Sequence, residues 1–279
     1  MGAVPPTPYA RSMPPAKRRP RTYDFRKTST ALFAQYGLAR AAVRGLGERE
    51  LALPSGLGEW TVAELVTHLG LTLESVTRAI EAEPPTGPQV ALTDWPFTTV
   101  SRAALNEERV RERAAGLVGR AALDDWLAET ATRADRVLDG ALPGRLVAAP
   151  AGPMALGDLL VTRCVELVVH SDDLARATGH EVTLDRQALA ACTRLLADAL
   201  AARVPGASTE VRVPPYAVVQ CVEGPRHTRG TPPNVVETDP LTWVRLATGR
   251  TDWASERAAA RVSASGERAD LSPYLPLLG

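Results

Sequence analysis

The sequence lacks an excess of charge of either sign, because its 32 basic and 32 acidic residues give a net charge of zero over 279 residues. A chain without a global electrostatic field is not expected to bind nucleic acid or an anionic membrane through its overall charge. No apolar run approaches the roughly 18 residues that a membrane span needs, so we expect no span. The basic start of the sequence has no apolar segment before its prolines, so we expect no secretory signal.

Cysteine is scarce and irregularly spaced. The three cysteines, Cys164, Cys192 and Cys221, are odd in number and lie in apolar segments. This pattern does not predict a disulfide framework, and it favours a reducing compartment. We therefore expect the protein to be cytoplasmic.

Composition and periodicity divide the chain into three parts. Residues 1–21 contain six prolines and five basic residues but no acidic residue, which is typical of a disordered tail. Residues 22–180 contain four regions of helical periodicity, which predict a four-helix bundle. Residues 181–279 combine helices with short alternating strands, which predict a small α+β domain with a mostly antiparallel sheet.

Several predicted elements have recognisable ends. Thr61 and Glu64 form a capping box at the start of the second helix. The third helical region is expected to break near Gly116 to Gly119, because glycine is unfavourable in a helix interior. Asp239, which is followed by a proline, predicts the start of a helix in the last part of the chain, and Gly249 predicts its end.

The most informative stretch runs from Asp158 to Gly179 and reads DLLVTRCVELVVHSDDLARATG. Glycines mark both of its ends and predict a helix of about six turns. Its apolar residues spread too widely to form one seam, so we expect this helix to be buried on nearly all sides. Four polar residues recur at steps of three, four and three along one helix face. They are Arg163, Glu166, His170 and Asp173.

This polar stripe has two interpretations. It could be a solvated face joined by pairs of side chains that each contribute about 0.2–0.5 kcal/mol. Alternatively, Glu166 and His170 face the protein interior, where an isolated charge is costly and must be paired or bound to a cation. With His68 from the second helix they would form a three-ligand site of the catalytic zinc type. Asp173 would then orient a ligand or pair with Arg163.

Two stretches in the first half resemble a known family. They are GEWTVAELVTHLG, residues 58–70, and LLVTRCVELVVHSDDLARATG, residues 159–179. They are similar to the DinB-like metal-binding domain of mycothiol-dependent maleylpyruvate isomerase relatives. The resemblance implies a four-helix bundle that binds a divalent metal, usually zinc, through positions that match His68, Glu166 and His170.

The second half resembles a different family. The stretches VPPYAVVQCVEGPRHTRGTPPNVVETDPLTWVRLATGR and RVSASGERADL are similar to the bacterial sterol-carrier-protein-like domain, which is often fused to such bundles. This resemblance implies an α+β domain that can enclose an apolar ligand.

The first resemblance implies an enzyme that uses mycothiol together with a divalent metal, usually zinc. Imidazole and carboxylate ligands also accept nickel or iron, so the metal identity stays open. The metal would hold the thiol as a thiolate, which would act on a small electrophilic or dicarboxylate substrate as an isomerase or a thiol S-transferase. Arginine forks suit substrate carboxylates. Arg226 and Arg229, in the loop GPRHTRGTPP, are the candidates, although this loop also fits a plain tight turn.

Two other functions stay open. The C-terminal domain could bind a lipid or acyl chain, with the metal of the bundle serving only a structural role. Alternatively, a bundle with a structural metal could merely position the second domain. The residues that could line an apolar tunnel, or equally a closed core, are Val218, Val235, Val244, Leu246, Leu275 and Leu278.

Overall fold

The computed structural model describes residues 20–224 and 232–278. Within them, a helical N-terminal region is followed by an α+β region, as the sequence predicts. Nearly all of the predicted disordered tail lies outside the described residues. In the described ranges, no helix combines the length and apolar character that a membrane crossing requires.

The N-terminal region is built mainly from long helices. In chain order the helices are α1 (Phe25–Arg44), α2 (Glu48–Leu51), α3 (Val62–Glu81), α4 (Ala103–Ala115), α5 (Gly119–Leu138) and α6 (Leu156–Thr178). The four longest, α1, α3, α5 and α6, pack against one another, and α4 packs against α3. The expected break in the third helical region separates α4 from α5 and begins at Gly116.

A short hairpin, absent from the sequence-based prediction, precedes α6. Strands β1 (Leu146–Ala149) and β2 (Gly152–Ala155) pair in antiparallel register. Val147 and Met154 lie opposite each other in this register, and both are buried. The strands are only four residues long and contain proline and alanine, so the alternation that predicts a strand is too weak to detect.

Helix α6 forms the centre of the molecule. Nearly every residue of its first five turns is buried, which confirms that its apolar surface faces protein on all sides. The helix ends at Gly179, which adopts a left-handed conformation with φ of 73°. Glycine occupies this conformation without the steric cost of a Cβ atom.

The α+β region packs directly against α6. Its elements are α7 (Arg186–Arg203), β3 (Thr209–Val213), β4 (Ala217–Cys221), β5 (Val235–Thr238), α8 (Pro240–Ala247), α9 (Trp253–Ala258) and β6 (Val262–Ser265). The strand order in the sheet is β4-β3-β5-β6, and only the β3–β5 pair is parallel. Helix α7 contacts α6, β4 and α8, and one continuous hydrophobic core joins the two regions.

The six residues proposed as tunnel lining do not share one environment. Val244 and Leu246 are buried in the core, whereas 52% of Val218 is exposed. These residues therefore do not outline a single apolar cavity, and the structure does not support a lipid ligand.

Candidate metal centre

The capping box predicted at the start of α3 is present and fixes the helix that carries His68. The backbone N–H of Glu64 donates to Oγ1 of Thr61 at 3.3 Å, and the N–H of Thr61 donates to the Glu64 carboxylate at 2.7 Å. These bonds satisfy donors that a helix start otherwise leaves unpaired. His68 follows about two turns later, and its ring centroid lies 5.2 Å from that of Trp60.

The structure brings together the three residues that the sequence singled out as ligands. Oε2 of Glu166 lies 3.3 Å from Nε2 of His68 and 3.4 Å from Nε2 of His170. All three candidate ligand atoms lie within 4.8 Å of one another. Two ligand atoms bound to one tetrahedral ion at about 2.0–2.1 Å lie about 3.3–3.4 Å apart, so both separations from Oε2 of Glu166 fit such an ion.

The chemistry of the donor set also fits a metal. Two imidazole nitrogens and one carboxylate oxygen suit zinc, and they also suit other divalent transition metals. Between 12% and 16% of each side chain is exposed, so the cluster is largely shielded from water. Three protein ligands leave a fourth tetrahedral position for an exchangeable ligand, as in catalytic zinc sites.

Glu166 is the negative centre of the cluster. Its Oε1 faces Nη2 of Arg163 at 3.6 Å. Burial raises the pKa of Glu166, but hydrogen bonds with His170 and His68, together with the Arg163 charge, outweigh burial and hold this pKa well below its usual range. Glu166 is therefore a carboxylate at neutral pH, which is the form that binds metal.

The two histidines have different environments. Burial lowers the pKa of His68, and its hydrogen bond with Glu166 only partly offsets this effect. Burial also opposes protonation of His170, but hydrogen bonds with Asp173 and Glu166 raise its pKa overall. Nδ1 of His170 lies 2.9 Å from Asp173, which leaves Nε2 facing Glu166. The two residues predicted to support the ligands thus contact different residues of the triad. Arg163 contacts Glu166, and Asp173 contacts His170.

A pocket beside this triad is rich in arginine. His68 and Glu166 line it together with Arg78, Arg102, Arg109 and Arg163. Nη1 of Arg102 is buried without a hydrogen-bond partner in the described part of the chain. Burial and the charge of Arg163 lower the pKa of Arg102. Buried arginine forks with unused donors suit an anionic group such as a carboxylate.

The sequence analysis missed three of these arginines, although a weak signal exists for each. On α3, Thr72, Ser75 and Arg78 follow His68 at steps of four, three and three, so they share its helix face. At the start of α4, Asn106 and Arg109 follow Arg102 at steps of four and three, so these three residues also share one helix face. Arginine is so common in this chain that such spacing alone does not distinguish a pocket from a solvated surface.

The two arginines that the sequence predicted to bind carboxylates, Arg226 and Arg229, lie outside the described residues. Their role therefore stays a prediction.

The cysteines are poor candidates for nucleophiles. All three are free and buried. Burial, together with the charge of Asp185, raises the pKa of Cys164 to about 12, and burial raises the pKa of Cys221 to about 11. These groups are neutral thiols at physiological pH, whereas the reactive form is the thiolate.

The chain matches the family model described as the mycothiol maleylpyruvate isomerase N-terminal domain over residues 34–175. The chain belongs to this family. A second model, described as the bacterial SCP ortholog, matches residues 185–277. Both resemblances noted in the sequence are therefore confirmed, and both fall in the regions where the quoted motifs occur.

Two solved structures of the mycothiol-dependent maleylpyruvate isomerase resemble this family member in fold. One has a TM-score of 0.59 and 14% sequence identity, and the match covers 89% of this chain and 95% of that chain. The other is a histidine-to-alanine mutant of the isomerase, with a TM-score of 0.58 and the same identity and coverage. At this identity the likeness establishes the fold alone. A search of curated proteins finds no significant match.

Proposed function

We propose that this protein is a divalent-metal-dependent enzyme that uses mycothiol to isomerise a small electrophilic substrate or to transfer the thiol to it. The observation that carries this proposal is the convergence of His68, Glu166 and His170 beside an arginine-rich pocket, which His68 and Glu166 help to line. The family name supports a thiol partner, as does the solved isomerase of the same fold, which is described as mycothiol-dependent.

Zinc is the metal that we propose, held by the three residues of the triad. A divalent ion bound there supplies Lewis-acid chemistry that keeps a thiol in its thiolate form at neutral pH. Arg163 fixes the carboxylate of Glu166, and Asp173 fixes the ring of His170. Because the cysteines of the chain are buried, neutral thiols, an external thiol is the natural nucleophile.

The substrate that we propose is a small dicarboxylate. Arg102 has an unused buried donor, and Arg163 lies on the same wall as Glu166. Arg78 and Arg109 also line the pocket and add positive charge to it. Arginine forks bind carboxylates in a fixed orientation, so they can hold an electrophilic carbon near the thiol and lower the entropic cost of its attack.

The domain bounds, two further arginines and the cellular compartment are also part of the proposal. We propose that residues 22–180 form the metal-binding domain, with α1, α3, α5 and α6 as its bundle, and that residues 181–279 form the second domain. Arg226 and Arg229 stay additional candidates for substrate binding. Three free cysteines support a reducing compartment such as the cytoplasm.

The decisive experiment measures metal content by mass spectrometry for the purified protein and for the variants His68→Ala, Glu166→Ala and His170→Ala. We expect one equivalent of metal in the parent protein and its loss in each variant. His180→Ala is the matched control, because His180 is exposed and pairs with Glu50, away from the triad. Circular dichroism checks that each variant is folded.

A second measurement separates metal binding from thiol use. Calorimetry with the zinc-loaded protein should detect mycothiol binding at millimolar concentration, and the triad variants should show none. A protein that contains no metal after reconstitution, or whose metal content is the same in all variants, contradicts the metal site. A zinc-loaded protein that binds no mycothiol contradicts the thiol-dependent reaction.

A further inference from the structure

The carboxylate of Asp173 connects a proposed metal ligand with the α+β region. Oδ2 of Asp173 lies 2.9 Å from Nδ1 of His170 and 2.9 Å from Nη2 of Arg250, and Nε of Arg250 donates to Oδ1 at 3.2 Å. Only 3% of the Asp173 side chain is exposed. The three side chains form a continuous chain of contacts from the α+β region to the triad.

This geometry determines which nitrogen of His170 faces the triad. A carboxylate has only acceptors, so Nδ1 of the neutral imidazole must carry the proton that bonds to Asp173. With a metal ion bound between them, Nε2 would present its lone pair to the ion; without the ion, Nε2–H faces the Glu166 carboxylate as a donor.

Arg250 is itself held firmly by its own loop. Gly249, with φ of 72°, reverses the chain directly after α8. The N–H of Arg250 donates to the carbonyl of Arg245 at 2.8 Å, and Nη1 donates to the carbonyl of Thr248 at 2.7 Å. The guanidinium therefore reaches Asp173 in a preset position. Arg176 also approaches this carboxylate, but at 3.9 Å and from a side chain that is half exposed.

We propose that Arg250 is a positioning residue of the metal centre, which acts on His170 through Asp173. On this proposal, the α+β region is a working part of the centre, because it supplies the group that fixes one ligand. The inference rests on the proposed metal site, and it adds a residue from outside the helices that carry the ligands.

The chain contains a close control for this relay. Arg245, on α8, makes a bidentate pair with Asp172 through Nε at 2.9 Å and Nη2 at 2.6 Å. Asp172 precedes Asp173 on α6 and is also buried. Among the hydrogen bonds of the described residues, none joins Asp172 to the triad. Both arginines thus hold the α+β region against α6, but only the partner of Arg250 also contacts a proposed metal ligand.

The test compares Arg250→Met with Arg245→Met in the full chain, since methionine keeps most of the apolar stem. Zinc affinity is measured by competition with a chromophoric chelator, and the absorption spectrum of bound Co²⁺ reports ligand geometry. We expect Arg250→Met to weaken zinc binding by about 10–100-fold, the usual effect of losing a group that supports a ligand. Arg245→Met should leave zinc affinity and the Co²⁺ spectrum unchanged. Arg250→Lys should be intermediate, because one ammonium cannot reproduce a bidentate fork.

A measurement without metal gives an independent readout. Long-range proton–nitrogen NMR of the metal-free protein identifies the protonated nitrogen of His170. We expect a slowly exchanging Nδ1–H proton, hydrogen-bonded to Asp173, in the parent protein and in Arg245→Met, and faster exchange of this proton in Arg250→Met. Urea unfolding shows whether the two variants lose similar stability.

The possible outcomes are distinguishable. Equal zinc affinities in the parent protein and Arg250→Met overturn the proposal. An equal loss of zinc affinity in Arg250→Met and Arg245→Met also overturns it, because both arginines would then act only by holding the α+β region against α6. Unchanged exchange of the Nδ1 proton in Arg250→Met also overturns it. If the parent protein binds no zinc, the proposed metal site fails, whereas the NMR comparison still decides whether Arg250 orients His170.

Discussion

Nε2 of His68 lies 3.3 Å from Oε2 of Glu166, although 98 residues separate them in the sequence. The same carboxylate faces Nε2 of His170 and, through its other oxygen, the guanidinium of Arg163. A single side chain thus contacts both histidines and Arg163, which makes Glu166 the most informative position for substitution.

Replacing Glu166 with glutamine should affect both metal binding and stability. The amide keeps the shape of the side chain but loses the charge that attracts a cation, so we expect zinc affinity to fall at least about tenfold. In the metal-free protein, Arg163 would lose its partner in a buried position, which should lower the free energy of unfolding by about 1–3 kcal/mol. Chelator competition and urea unfolding measure the two effects.

Glu107→Gln is the control for this change, because Glu107 pairs with Arg111 on an exposed helix surface. Such surface pairs contribute about 0–1 kcal/mol, and neither residue of this pair lines the pocket beside the triad. Equal unfolding free energies in the metal-free Glu107→Gln and Glu166→Gln proteins would contradict a special role for Glu166.

Replacing Arg102 with glutamine should weaken binding of a small dicarboxylate such as maleate. Loss of a charge-assisted hydrogen bond costs about 1.5–3 kcal/mol, which corresponds to roughly a 10- to 150-fold loss of affinity. Arg111→Gln changes the same charge on the same stretch of helix but outside the pocket, and it should bind maleate normally. Calorimetry with the zinc-loaded proteins measures both affinities. If the two variants bind maleate equally, the carboxylates of maleate do not bind to Arg102.

The three cysteines should resist labelling in the folded protein. Their pKa values are raised by burial, to about 12 for Cys164 and about 11 for Cys221, so almost no thiolate forms at mildly alkaline pH. We expect a colorimetric thiol reagent to react only after urea unfolds the chain. Rapid reaction of one thiol in the native state would show that a cysteine of this chain is reactive and could serve as the nucleophile.

Asp124 should make the stability of the helical region depend on pH. Arg40 on α1 approaches Oδ1 of Asp124 at 2.6 Å and Arg44 approaches Oδ2 at 3.0 Å, and these hydrogen bonds lower the pKa of the Asp124 carboxyl despite partial burial. A lowered folded-state pKa gives stability that is present above the unfolded value of about 3.9 and is lost as pH falls through the folded value.

The comparison of Asp124→Asn with the parent protein tests this linkage. At neutral pH the variant should be less stable by about 1 kcal/mol, and the difference should shrink as the pH falls below about 4. Urea unfolding at several pH values measures the difference. A difference in unfolding free energy that stays constant at acidic pH would show that Asp124 contributes through packing instead of charge.

Local patterns in the sequence predict much of this architecture. The capping box of Thr61 and Glu64 starts α3, and Gly179 ends α6, because these signals act within one or two helical turns. The step of four residues between Glu166 and His170 places both on one face of α6 for the same reason. The short hairpin before α6 escaped prediction, since two four-residue strands carry too little periodicity.

Only the tertiary structure decides which of these local faces meet. The approach of His68 to Glu166, the arginine pocket around Arg102 and the contact of Arg250 with Asp173 all join segments that are distant in sequence. Helical periodicity specifies the direction of a side chain relative to its own helix, but it contains no information about the partner helix. The sequence by itself therefore determined the elements and the candidate ligands, whereas packing across the shared core determined the surroundings of those ligands and the residue that orients His170.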